Sequence, residues 1–157
     1  MQKLKVLLND LESKIEFHEA VNPKVSKSNL AWHLDHCLKV INGVTQTIKT
    51  SNPEDYKWKF NFKKSLVYLL GSIPRGKAKA PKSVQSIDEI KLSDLQLQLK
   101  NAYILINDLE FLKPNHNFKH PYFGVLNTKE TIKFLNIHTH HHIKIMNDIL
   151  KKSTNSL

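Results

Sequence analysis

A chain of 157 residues sets one domain, residues 1–157, long enough to bury roughly 70% of the surface its unfolded form exposes. Hydrophobic residues are 40% and charged residues 24%, an ordinary soluble balance, and the single cysteine, Cys37, excludes an internal disulfide. The net charge of +10 invites nucleic acid, but Arg75 is the only arginine, so the planar forks that read phosphates and bases are scarce and a lysine-rich solvated surface is the plainer reading.

The N-terminal stretch MQKLKVLLNDLESKIEF is apolar only in short bursts and lacks the central apolar region of a secretory signal. The apolar run around Leu66 to Leu70 is far too short for a bilayer, so no membrane partner and a cytoplasmic location are expected. Leu4, Leu7, Leu8, Leu11 and Ile15 follow helical spacing and predict a helix over residues 1–18. Asn22-Pro23 breaks it. Ser26 or Ser28 is expected to cap a second helix running to about Thr50, with Leu30, Leu34, Cys37, Ile41, Val44 and Ile48 on one stripe. Residues 59–73 predict a short helix, aromatic and basic at its start. IPRGKAKAPKS, residues 73–83, reads as an exposed loop.

A long helix is expected over residues 86–112, with Ile90, Leu95, Leu99, Ile104 and Leu109 among its apolar positions. KPNHNFKHPYFGVLN reads as a loop ending at Asn127, a cap for the last helix with Glu130 behind it. That helix spans about 128–151, and the tail 152–157 is expected to fray. No stretch predicts a strand. The economical fold is all-α: a four-helix bundle with a short extra helix between the second and third long helices.

The stretch FLNIHTHHHIKIM places four of nine histidines within five positions, framed by apolar residues. His138 and His142 are four apart on the apolar stripe, so their rings stack on one face. His141 flanks the stripe, and His140 points elsewhere, toward solvent. The second helix carries His33, Asp35 and His36 in NLAWHLDHCLKVI, with His36 at the stripe's edge. If those two helices face each other, His36 joins His138 and His142. Three neutral imidazoles bind zinc at about 2.0–2.1 Å and leave a coordination position open. Nickel, iron and manganese also accept imidazole.

LDHCLKV, with its His-Cys pair, and HPYFGVLNTKETIKFLNIHTHHHIKI, with a His-Pro-aromatic-Phe-Gly loop ahead of the histidine helix, resemble one branch of the DinB-like (YfiT-like) superfamily of metal-binding four-helix bundles. The resemblance follows helix order over most of the chain, and its specific motifs cover roughly residues 30–44 and 120–146. It implies a divalent metal on His36, His138 and His142, and a metal-dependent hydrolase or a transferase using a low-molecular-weight thiol on a small-molecule substrate. It also implies a homodimer. His141 or His33 would be the general base.

Other residues read more plainly. Asp35 is expected at the surface, Cys37 in the core, and Trp32 as packing or a pocket wall. Phe123 is expected to enter the end of the bundle, with His120 either facing the metal pocket or capping a helix. Lys77, Lys79 and Lys82 near Arg75 read as a solvated face, with attraction of an anionic substrate as the sharper option. Two other function classes stay open. One is a non-catalytic protein whose basic surface meets nucleic acid or an acidic partner. The other is a bundle keeping a metal for stability alone.

Overall fold

The computed structural model describes residues 1–76, 84 and 89–153, without the side chains of residues 152 and 153. Helix α1, Gln2–Glu12, buries Leu4, Leu7, Leu8 and Leu11. It stops short of residue 18. The Ser13 hydroxyl donates to the Asp10 carbonyl at 2.9 Å, which favours leaving the helix. A 3-10 turn, Ile15–Phe17, then carries Ile15 into the core.

Helix α2, Leu30–Lys49, is capped by Asn29, whose side chain accepts from the Trp32 N–H at 2.9 Å. The expected caps are therefore displaced. Ser26 instead accepts from the Ser28 N–H and reaches His33. Helix α3, Phe62–Leu70, is shorter than residues 59–73 at both ends. Asn61 accepts from the Lys64 N–H to start it, and Gly71, at φ 61°, ends it in the left-handed conformation that suits glycine. Helix α4, Leu92–Asp108, unwinds into turns four residues before the expected end at 112. Its expected start at 86 lies outside the described residues, as do Lys77, Lys79 and Lys82 of the basic loop.

The stretch read as a loop holds a hairpin. Strand β1, Asn117–His120, pairs antiparallel with β2, Gly124–Asn127, in the register Asn117↔Asn127 to His120↔Gly124. His120 makes the turn: its Nδ1 accepts the N–H groups of both Tyr122 and Phe123 at 3.1 Å. Gly124 follows at φ 74°. Helix α5, Thr128–Ser153, opens with the expected reciprocal cap. Glu130 N–H donates to Asn127 Oδ1 at 2.9 Å, and Asn127 N–H donates to Glu130 Oε2 at 3.1 Å. Helix geometry persists through Ser153, and residues 154–157 lie outside the description.

The architecture is mainly helical, as expected, with one two-stranded sheet added. Helix α2 packs on α4 and α5, and α1 packs on the same two. Leu34, Leu38, Ile41, Leu95, Ile106, Leu135, Met146 and Ile149 fill the space between them, each fully or almost fully buried. Each such side chain contributes on the order of 1.5–3 kcal/mol of transfer free energy. Short α3 rests on α5 through a part-buried pair, Lys64 Nζ to Glu130 Oε1 at 2.6 Å, and through Tyr68 donating to the Glu130 carbonyl. Among the described residues, no helix is long and apolar enough to cross a membrane.

Candidate metal centre

Helix α2 has two buried flanks because it packs against both α4 and α5. The flank toward α5 carries His33 and His36. The facing stripe of α5 carries His138 and His142, four residues apart and therefore one turn apart on the same side. The ring centroids of His36, His138 and His142 stand 5.0, 4.8 and 4.7 Å apart, close to an equilateral triangle. One nitrogen from each of the three lies within 4.8 Å of the others. His36 and His142 are buried; His138 is half-buried as a residue, but its Nδ1 is out of reach of solvent.

Hydrogen bonds orient the rings. His36 Nδ1 lies 3.0 Å from the Val84 carbonyl, which only accepts, so Nδ1 carries the proton and Nε2 presents its lone pair. That lone pair faces His138 Nε2 at 3.1 Å. His142 Nδ1 meets His33 Nδ1 at 3.0 Å, and His33 Nε2 meets Ser26 Oγ at 2.9 Å. Two proton orders satisfy that chain; the one in which His142 donates to His33 and His33 donates to Ser26 leaves His142 Nε2 as a lone pair, the form a metal needs. A carbonyl or imidazole behind a ligating histidine is how proteins fix the ring's tautomer and direction.

Burial keeps these rings neutral. It pushes His138 and His142 well below the ordinary histidine pKa, with the neighbouring imidazoles adding to the shift. His33 is lowered to about 4 by burial and then by its neighbour His36. His36 is lowered by burial, against its bond to Val84 and the charge of Asp35. The neutral imidazole is the form that ligates a metal.

The donor set fits a divalent ion. Two nitrogens bound at about 2.0–2.1 Å and a tetrahedral angle stand about 3.3–3.4 Å apart. His36 Nε2 and His138 Nε2 are within about 0.3 Å of that spacing. In the metal-free chain their contact requires the proton on His138 Nε2. His138 Nδ1 is then an enclosed lone pair with no partner among the described residues. Such an atom costs about 1–3 kcal/mol, and a metal on Nε2 would not relieve it, since the ring proton would then sit on Nδ1 with no acceptor among the described residues.

The surroundings are aromatic. Trp32 lies flat on His36, centroids 5.0 Å and planes 9° apart, and meets His33 edge-on. Trp32 also walls a cavity with His18, Asn29 and Ile90. On the hairpin side, Phe134 separates His138 from His120, with centroid distances of 5.5 and 4.5 Å. His120 holds the β-turn and stacks on buried Phe123, so it neither faces the triad nor caps a helix.

Asp35 is not at the surface. It is 3% exposed, accepts from Gln98 at 2.8 Å and pairs with Lys39 at 2.8 Å, because the flank it occupies meets α4. Cys37 is fully buried, and burial alone raises its thiol pKa, which suits packing rather than nucleophilic attack. His141 sits beside His142, ring centroids 5.1 Å apart, but lines a neighbouring groove rather than the triad. His140 is half-exposed there too. Ser26 and Val84 were missed as partners of the histidines; only their place in the fold reveals them, since each lies in a connection. No family model matches the chain, and no curated protein or solved structure is significantly similar to it.

Proposed function

We propose that His36, His138 and His142 hold one divalent metal ion, zinc or nickel before iron or manganese, in a DinB-like bundle acting as a hydrolase or thiol-dependent transferase. The carrying observation is the convergence of three neutral imidazoles from two helices, with the tautomer of His36 set by a carbonyl. A bound ion would lower the pKa of water or hold a thiolate, and so supply a nucleophile near neutral pH. The chain's own residues do the rest. Val84 and His33 aim the ligating rings, Trp32 covers one face of His36, and Phe134 keeps the hairpin side apolar. Both nitrogens of His33 are engaged, so it positions His142 rather than taking a substrate proton. His141, adjacent but outside the triangle, is the better placed base.

Elemental analysis of untagged protein tests this reading. We expect about one divalent ion per chain, lost in His138→Ala. No ion after incubation with zinc, nickel and manganese removes the proposal.

A second reading has its own observation. Trp58, Phe60 and Phe62 are 65–69% exposed and alternate with exposed Lys57, Lys59 and Lys63. Aromatic faces interleaved with cations suit stacking on single-stranded nucleic acid. Fluorescence anisotropy of a labelled oligonucleotide, read across a salt series, would show steeply weakening binding. No binding at low salt sinks it.

A further inference from the structure

Beside the triad, α5 and the segment leaving α3 enclose a groove of about 190 Å³. Its polar lining is Ser72 and Arg75 from that segment and His140, His141 and Lys144 from α5. No carboxylate lines it. Asp148 pairs with Arg75, Nη2 to Oδ2 at 2.8 Å, and the Asp10 carboxylate acts on His140. Lys144 makes no ion pair among the described residues. The half-charge of carbonyls at the end of α3 opposes an anion and Asp148 offsets part of the Arg75 charge, but Lys144 leaves the groove net positive. Helical spacing puts Ile137, His141, Lys144 and Asp148 on one stripe of α5, next to the stripe of His138 and His142. The groove therefore shares a wall with the triad, the His141 ring lying against His142.

We infer that this groove binds an oxyanion, the phosphate-sized head of a small acidic substrate, and presents the rest of that molecule to the three-histidine centre. The volume suits a tetrahedral anion and is below the roughly 300 Å³ at which drug-sized pockets begin. Arg75 supplies a planar fork, Lys144 a point charge, Ser72 a hydroxyl and His140 a ring N–H, while His141, bonded to the Ile73 backbone, walls the groove. The role as a substrate seat rests on the metal reading. Oxyanion binding itself does not.

The test is titration of the metal-free protein with inorganic phosphate at constant ionic strength, following the histidine ring resonances by NMR. Saturable shifts at His140 and His141, absent with chloride, are expected. Lys144→Gln, which breaks no described ion pair, and Arg75→Gln should each weaken binding tenfold or more. Asp148→Asn removes the carboxylate that competes for Arg75, so it should tighten binding. Equal shifts with chloride, unchanged affinity in both glutamine variants, or weaker binding in Asp148→Asn would overturn the proposal. Phosphate binding in a chain that takes no metal leaves the groove standing and removes the metal reading. Metal uptake without phosphate binding does the reverse.

Discussion

His33 shows how much a single residue's position decides. It touches a proposed ligand with one nitrogen and a serine with the other. Removing such an orienting partner commonly weakens metal affinity 10–100-fold. We expect His33→Ala to do so in a chelator competition, and His33→Asn, which keeps an acceptor near Nδ1, to lose less. Unchanged affinity in His33→Ala would assign His33 another role. His120 carries a pH effect. Burial lowers it to about 4, against an ordinary 6.5. As pH falls below 6.5, the unfolded chain gains a proton that the folded chain refuses, so stability drops until about pH 4. The slope is at most about 1.4 kcal/mol per pH unit for one group, less with partial exposure. Urea unfolding of metal-free His120→Asn across that range should show a shallower slope than the parent chain. The spacing of His138 and His142 was legible because helix arithmetic alone puts them on one side. Asp35 was not, because a helix wedged between two neighbours has two inner flanks, and a single apolar stripe shows only one.

At the scale of elements, the hairpin is the main thing sequence patterning did not disclose. Four-residue strands carry too little alternation to separate them from loop, and the turn lacks the two-residue glycine signature of common hairpins. Its determinants are a histidine ring that accepts two backbone N–H groups and one glycine at positive φ. A Cβ at Gly124 would meet only Asn61 Nδ2, at an ordinary 4.0 Å, so Gly124→Ala costs mainly backbone conformation, about 1–2 kcal/mol, readable in denaturant unfolding. The cap at the start of α5 was legible, because Asn127 and Glu130 obey a local rule that holds whatever the tertiary fold. Asn127→Ala should cost about 0.5–2 kcal/mol in the same assay. The caps of α2 and α3 follow the same chemistry, but several candidate side chains crowd the start of α2, and only the path of the chain selects Asn29.

For the whole molecule, the metal is expected to join α2 to α5 and so to act on global stability. An ion at one hundred times its dissociation constant adds about 2.7 kcal/mol. In a chain of this size that raises Tm by roughly 5–10 °C. A thermal scan with and without chelator should show the difference in the parent chain and none in His138→Ala. The helical class and the order of its long helices were legible from apolar periodicity. Which helices meet was not, since periodicity names a buried face without naming its neighbour.

His36 and His138 lie 102 positions apart, near opposite ends of the chain. During synthesis at about 5–20 residues per second, His36 waits roughly 5–20 seconds before His138 exists. The pocket is completed only when α5 has been made. Loading of the proposed metal is therefore expected only after α5 has been made, and a ribosome-bound nascent chain halted before α5 should take up no ion at this site.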